Sequence, residues 1–240
     1  MYPGIKNIPK VMILSCFQTI IQYLFFYMGM AKASGVTSSI INGSGTFFAV
    51  LIATWITKRE KMTRNKMLGC ILGFCGVILI SFTGSAPNSS SLEFTWNGEG
   101  FILIASLCYG ISSVLIKEFS KYENPVTLSG YQFLFGGIVM IMAAVLMGGS
   151  FEISDLRGII LLFYMAFISA AAYSLWGILL KHNPVSRVAV YGFAIPVFGV
   201  ILSVILLGEI DKLNINYLIS LALVSAGIYL VNKISLNKHV

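Results

Sequence analysis

Apolar residues form eight long stretches along the chain, and short polar segments separate one stretch from the next. The stretches are residues 11–31, 36–56, 67–82, 101–116, 126–147, 159–180, 188–207 and 215–231. A helix needs about 20 mostly apolar residues to cross the hydrocarbon core of a bilayer. Flanking Gly, Asn and Tyr residues can extend the shorter stretches into the headgroup region. The pattern predicts an all-α fold, a polytopic transmembrane bundle of about eight helices.

Two segments of the chain repeat the same pattern, residues 33–80 and residues 184–231. Each begins with small residues, continues as an apolar span that ends near a glutamate, and turns into a second span with a late glycine. The glutamates are Glu60 and Glu209, and the glycines are Gly76 and Gly227. If the spans alternate in direction, the two glutamates fall on opposite sides of the membrane. The sequence therefore predicts an inverted repeat, an architecture that binds solutes near the midplane between its halves.

Lysine and arginine are distributed unevenly between alternate loops. With the N-terminus in the cytoplasm, 13 of the 16 fall on the cytoplasmic side and three, Lys32, Arg157 and Lys212, fall outside. The positive-inside rule then predicts a multi-pass protein of the plasma membrane with both termini cytoplasmic. The same topology explains the net charge of +7 without nucleic acid. A signal peptide is the alternative for residues 11–31, but the stretch is long for one and Gln18 and Gln22 interrupt it.

Charged residues are scarce, and their positions limit the chemistry. The chain has 240 residues, of which 57% are hydrophobic and 10% charged, whereas a soluble domain carries about 25% charged residues. All of the charged residues fall in loops or at span ends, so no carboxylate is placed for a deep proton relay or an intramembrane enzyme. The four cysteines have no metal-ligand spacing. We expect a protein that is not an enzyme and has no metal site.

The seventh stretch contains a helix breaker, Pro196, between Gly192 and Gly199, and ends at Glu209. Proline removes a backbone donor and frees the carbonyl four residues earlier. In a membrane such a break is tolerated where protein or a water-filled cavity satisfies it. Two interpretations fit, a kink that lines the substrate path and a static kink that improves packing. Glu209 likewise fits either a gate or a solvated boundary residue, because a helix C-terminus does not favour an acid.

Polar and aromatic side chains within the stretches are the candidate substrate ligands. Polar groups in hydrocarbon seek partners inside the bundle, so each can contact a solute or simply join helices. The aromatic rings can stack on a solute or form the interfacial belt. The candidates are Gln18, Gln22, Asn42, Tyr109, Gln132, Tyr173, Trp176 and Tyr191. Gly69 and Gly73 form a small-residue face that serves packing within the chain or in a homodimer.

The second half of the chain resembles a known family. The segments "AYSLWGILLKHNPVSRVAVYGFAIPVFGVILSVILLGE" and "LISLALVSAGIYLVNK" are similar to the EamA-type branch of the drug/metabolite transporter superfamily. Residues 98–233 resemble one complete repeat of five helices, with Pro196 and the Leu-Gly-Glu ending at Glu209 in the expected order. Residues 1–82 resemble an incomplete first repeat of three helices, which lacks the corresponding proline near Thr46. Residues 83–97 form a predicted external linker, and residues 234–240 a cytoplasmic tail.

The resemblance implies a secondary transporter, most often an exporter, of small organic metabolites or drug-like amphiphiles. It implies alternating access through a central cavity, with a small organic solute and the lipid bilayer as partners and no cofactor. Members of this branch usually have ten spans, and the first two have no counterpart here. The chain is then part of a longer protein, or a short variant that pairs with itself. The alternative function is a truncated, non-transporting or accessory integral membrane protein.

Overall fold

A computed structural model describes residues 8–58, 60–83, 94–149, 155–209 and 215–232. Within these ranges the regular structure is helical and there is no strand. The helices are α1 (Ile8–Met30), α2 (Gly35–Ile56), α3 (Arg64–Thr83), α4 (Trp96–Phe119), α5 (Pro125–Leu146), α6 (Leu156–His182), α7 (Val185–Val188), α8 (Ala194–Leu207) and α9 (Ile215–Asn232). Residues 84–93 of the predicted linker and the predicted tail lie outside the described residues.

Six of these helices, α1 to α6, are long and apolar enough to cross a membrane, and two shorter apolar helices follow. Each of the eight predicted spans falls on one or more of them. The polytopic helical bundle is therefore confirmed. Large apolar side chains on α5 and α6 are exposed, among them Ile141, Phe163 and Phe167, as expected where hydrocarbon is the solvent.

Several helices change type along their length. The α1 helix contains a π-helical segment at Cys16–Ile21, and α2 is interrupted at Gly43 before it ends in a second π-helical segment. The predicted seventh span is not one continuous helix. It consists of α7, a 3-10 segment at Ala189–Phe193, and then α8. Short stretches of 3-10 or π geometry inside helices often mark hinges and functional positions.

The described helices divide between two compact units. Unit 1 comprises the chain up to Ile20 together with Leu115–Asn183, and unit 2 comprises Ile21–Val114 together with the chain from Pro184 onwards. In unit 1, α5 packs against α6 and against the first half of α1. Lys117 donates hydrogen bonds to the carbonyl oxygens of Leu180 (3.2 Å) and Asn183. These bonds satisfy carbonyl groups that the C-terminus of α6 leaves open.

In unit 2 the backbones of α3 and α9 approach so closely that side chains would not fit between them. A Cβ atom on Gly69 would lie 2.5 Å from the carbonyl oxygen of Gly227, and one on Gly76 would lie 2.8 Å from that of Ser220. Small residues permit such contacts between membrane helices. The Gly69 face that the sequence predicted to be a packing surface is thus covered by α9 of the same chain.

The second close crossing in unit 2 joins α2 to the segment that contains α8. Gly199 lies against Ser39, Pro196 against Gly43, and Gly192 against Thr46. Residue numbers rise along α2 as they fall along the partner, so the two segments run antiparallel. Core side chains such as Ile40, Phe47 and Val224 are buried around this crossing.

Candidate functional site

The carboxylate of Glu209 caps the first turn of α2. It accepts hydrogen bonds from the backbone N–H groups of Gly35 (3.2 Å) and Val36 (3.0 Å). Ser34 supplies the helix cap, because its hydroxyl oxygen accepts from the Thr37 N–H at 3.1 Å. The two hydrogen bonds to Glu209 are called the Glu209 clasp below. The N-terminus of a helix favours an acid, so the acid that ends one helix stabilises the start of another.

A second carboxylate, Glu60, makes a comparable contact at the other end of the same crossing helices. It follows α2 and accepts from the Ser186 backbone N–H (3.3 Å) and from the Ser186 hydroxyl, at the beginning of α7. Lys66 completes the set with an ammonium-to-carboxylate distance of 2.9 Å. Glu60, Ser186 and Lys66 are called the Glu60 clasp below.

The surroundings of Glu60 keep it ionised. Burial by itself raises the pKa of this carboxyl group, but the hydrogen bonds from Lys66 and Ser186 and the positive charge of Lys66 outweigh burial and lower the pKa below its usual range. A carboxylate that accepts several hydrogen bonds next to a cation is stabilised in its charged form. At neutral pH the Glu60 clasp is therefore a charged contact.

Pro196 lies near the point where a 3-10 segment becomes the α-helix α8. It is the third residue of α8, and the five residues before α8 form the 3-10 segment that contains Gly192. The 3-10 segment runs directly into α8, since the Ala194 N–H donates to the Tyr191 carbonyl. Pro196 therefore removes a backbone donor from a continuous helical run, close to the point where its type changes. Pro196 and Gly192 are buried. The change of helix type therefore occurs just before Pro196. Pro196 packs against Gly43, the position at which α2 is itself interrupted.

In unit 1, two candidate amides are fully buried without hydrogen-bond partners among the described residues. Gln18 lies in the π-helical segment of α1 and Gln132 in α5, and each has 0% of its surface exposed. The amide oxygen and nitrogen atoms of both are unpaired, and so is the hydroxyl of Thr19. The two helices touch here, since Ser15 donates a 2.8 Å hydrogen bond to the backbone carbonyl of Gln132.

The aromatic candidates in unit 1 lie on α6, and α5 contacts them. The ring of Tyr173 packs edge-on against Phe133, with a centroid distance of 5.0 Å. Ser129 donates a 3.5 Å hydrogen bond to the Tyr173 carbonyl. Trp176, one turn further along α6, is half-buried. The structure therefore brings Gln132 and Tyr173 to the same helix pair.

The other four candidates belong to unit 2. Tyr109 on α4 lies against Gly45, where an added Cβ atom would come within 2.7 Å of its ring. Gln22 and Asn42 are half-buried in α1 and α2. Tyr191 is 61% exposed. Among the described residues, no group of His, Cys, Asp or Glu is arranged to hold a metal ion.

Comparison with known proteins identifies the family. The sequence profile of the EamA-like transporter family matches residues 2–82 and 96–233. The chain belongs to this family. It is 28% identical over 231 residues to a transporter of Archaeoglobus fulgidus, and this alignment covers 94% of this chain and 78% of that protein. It is 23% identical to a chloroplastic WAT1-related protein of Arabidopsis thaliana, in an alignment that covers 91% of this chain and 52% of that protein. It is 24% identical to the transporter YyaM of Bacillus subtilis, in an alignment that covers 74% of this chain and 59% of that protein.

These matches support membrane transport as the broad function of the family to which the chain belongs. It spans between about half and four fifths of the length of these three relatives. The resemblance noted from the sequence is confirmed at the level of the family.

Sequence reasoning missed the donors of the Glu60 clasp. Ser186 follows Pro184, and serine is a common residue at helix starts, so the segment could have been recognised as a helix N-terminus. Nothing local indicated that the acceptor would come from Glu60, 126 residues earlier. Lys117, which binds carbonyls at the end of α6, was likewise counted only as a loop charge.

Proposed function

We propose that this protein is a secondary transporter of small organic solutes, and that the Glu60 and Glu209 clasps are the gates of an alternating-access cycle. One observation carries the proposal. Glu209 follows α8 and holds the beginning of α2, whereas Glu60 follows α2 and holds the beginning of α7, the segment that leads into α8. Two similar contacts thus close opposite ends of one antiparallel pair. A device of this kind can release one end while the other stays closed.

The proposed inverted repeat consists of α2–α3 in one half and α7–α9 in the other. Three features support it: the antiparallel α2–α8 crossing, the Gly69–Gly227 contact between α3 and α9, and the reciprocal clasps. In a transporter with inverted repeats, the outward-open and inward-open states can interconvert when the two halves exchange conformations. With the topology that the charges predict, the Glu60 clasp faces the cytoplasm of the plasma membrane and the Glu209 clasp faces outside.

The free energy needed to open a clasp is similar to the free energy that solute binding can supply. Each clasp satisfies hydrogen-bond donors that water can also satisfy once the end opens, so opening costs about 1–3 kcal/mol. Ligands typically couple to conformational equilibria by about 1–3 kcal/mol. Binding of a solute can therefore shift the balance between closed and open ends. We propose export as the physiological direction, on the basis of the family resemblance.

The test is to restrain one clasp at a time and measure solute flux. In a background with the four native cysteines replaced by alanine, Glu60→Cys is combined with Ser186→Cys, and Glu209→Cys with Val36→Cys. The purified full chain is reconstituted in liposomes loaded with a pool of amino acids and related metabolites. A short bifunctional thiol reagent should stop efflux in each double variant, because either cross-link prevents one half of the cycle.

Each single-cysteine variant is the matched control and should keep its efflux after the same treatment. Continued efflux with a complete cross-link at either end would refute the gating role. Absence of efflux from folded, uncross-linked protein would favour the alternative of a non-transporting or accessory membrane protein.

A further inference from the structure

We propose that the end of α2 and the loop after it bind the headgroup of an anionic phospholipid. The surface consists of five exposed residues of unit 2: Trp55, Ile56, Lys58, Lys61 and Arg64. It is called the 55–64 patch below. The inference concerns lipid binding alone and does not depend on the proposed transport function.

The 55–64 patch carries positive charge that the protein leaves uncompensated. The described residues between positions 57 and 67 include four cations and one acid, Glu60, and that acid is already paired with Lys66 at 2.9 Å. Lys58, Lys61 and Arg64 have no carboxylate partner among the described residues. Three exposed positive charges therefore remain, and such a group attracts anions.

The loop between α4 and α5 shows that topology does not require this excess. It contains two cations, Lys117 and Lys121, and two acids, Glu118 and Glu123. Lys121 pairs with Glu118 at 2.8 Å. The positive-inside rule counts lysine and arginine, and acids contribute little to it. The rule explains why cations occur in both loops, but it does not explain why those of the 55–64 patch lack acidic partners.

The local helix ends do not explain the cations either. Arg64 is the first residue of α3, where the helix dipole disfavours a cation, and the first turn of α3 has no acid. Lys58 has a φ of 51°, a backbone conformation that favours glycine. Both placements disfavour the local structure, as is expected when the side chains serve a ligand outside the chain.

The apolar members of the 55–64 patch select a lipid over a soluble anion. Trp55 is 60% exposed and Ile56 is 74% exposed, and they are the last two residues of α2. Tryptophan at the end of a membrane helix is typical of the boundary between headgroups and acyl chains. A free phosphate would contact the cations alone, whereas a phospholipid contacts the cations and the apolar pair. With the topology that the charges predict, the 55–64 patch faces the cytoplasmic leaflet, which is rich in anionic lipids.

The test measures which lipid lies next to Trp55. Trp96→Phe and Trp176→Phe leave Trp55 as the single tryptophan, and the full chain is reconstituted in mixed vesicles of phosphatidylglycerol and phosphatidylcholine. Either the first or the second lipid carries bromine near the headgroup end of its acyl chains and quenches nearby tryptophan fluorescence. Phosphatidylglycerol should bind at least about tenfold more tightly than phosphatidylcholine, since each lysine or arginine contributes about fivefold. Salt at about 1 M should remove most of this preference, because it screens charges beyond about 3 Å.

Lys121→Gln is the matched control, because it removes the same charge from the chain at an exposed position outside the 55–64 patch. Lys61→Gln and Arg64→Gln should each lower the preference for phosphatidylglycerol about fivefold, whereas Lys121→Gln should leave it unchanged. All three side chains are exposed, so the melting temperature should stay the same. If the single-tryptophan protein does not fold, native mass spectrometry of the variants with all three tryptophans measures the phosphatidylglycerol retained, and the same order is expected.

Equal quenching by the two brominated lipids in folded protein would overturn the proposal. So would equal losses in Lys121→Gln and Lys61→Gln, because the preference would then reflect the net charge of the chain and not the 55–64 patch. If soluble glycerol phosphate abolished the preference, the cations would bind a free anion, and the assignment to a lipid would be wrong.

Discussion

The two clasps of unit 2 perform the same contact with different donors. The Glu209 carboxylate accepts from two backbone N–H groups, those of Gly35 and Val36, at the start of an α-helical stretch of eight residues. The Glu60 carboxylate accepts from one backbone N–H, one hydroxyl and one ammonium, supplied by Ser186 and Lys66. One contact thus depends on the fold of a helix, and the other depends largely on the identity of two side chains.

This difference determines how each end can be altered. The backbone donors of the Glu209 clasp exist for any residue except proline at positions 35 and 36, so they persist as long as α2 forms. The Glu60 clasp contains a nearly buried ion pair, in which the Lys66 and Glu60 side chains are 13% and 9% exposed. Removing one member of a buried pair leaves the other charge uncompensated, which is more costly than losing a neutral hydrogen bond.

The largest effect is expected at Glu60. Glu60→Ala leaves the Lys66 ammonium without its carboxylate and the Ser186 N–H without an acceptor, and should lower the free energy of unfolding by about 3 kcal/mol. Thermal unfolding of the purified chain in detergent measures the change. In Glu60→Ala/Lys66→Ala the uncompensated charge is gone, so part of the loss should be recovered. A double variant no more stable than Glu60→Ala would show that the ion pair is not the source of the stability.

A smaller effect is expected at Glu209. Glu209→Ala removes an acceptor from two N–H groups at the start of α2, where water can replace it, so the loss should be about 1–2 kcal/mol. Glu209→Gln keeps one acceptor oxygen and should lose less than Glu209→Ala in the same unfolding measurement. A loss at Glu209 as large as that at Glu60 would remove the distinction between the clasps.

Substitution of the two serines compares the ends most directly. Ser186→Ala removes the hydroxyl donor to Glu60, and Ser34→Ala removes the acceptor for the Thr37 N–H at the start of α2. Each should cost about 1 kcal/mol in unfolding free energy. Only Ser186→Ala should also change efflux from liposomes, because Ser34 caps its own helix whether or not the Glu209 clasp is closed. Equal effects of the two substitutions on efflux would contradict this assignment.

The sequence predicted the helices well because hydrocarbon allows few alternatives. Backbone groups in a bilayer must bond within their own segment, so a long apolar stretch between charged loops has to be a helix. The seventh span was the partial failure. Its residues are apolar throughout, and hydropathy alone does not distinguish α-helical from 3-10 geometry at Ala189–Phe193.

The contacts at the candidate site could be predicted only in part. The burial of Gln18 and Gln132 follows from the cost of exposing amides to lipid, and the sequence placed both within spans. The pairing of Glu60 with Ser186 and of Glu209 with α2 links positions 126 and about 174 residues apart. Such pairs depend on how the helices cross, which periodicity along one helix does not specify. Glu209 illustrates the limit, since the dipole of its own helix disfavours an acid and the dipole of α2 favours it.

The smallest effect concerns pH, and it distinguishes Glu60 from a simple pH sensor. The pKa of Glu60 in the folded protein is lowered from 4.5, so its contribution to stability is fully present above the unfolded-state pKa and is lost as pH falls through the folded-state value. Between about pH 6 and pH 8 the difference in melting temperature between wild type and Glu60→Gln should therefore stay constant. On further acidification this difference should shrink.

In a Lys66→Met background, the part of the melting-temperature difference that acid removes should become smaller. Burial raises the pKa of Glu60, and Lys66, one of the two residues that oppose this effect, is gone. A difference that instead changes steeply around neutral pH would make the Glu60 clasp a proton-sensitive gate, and the two ends would then differ in how they are controlled.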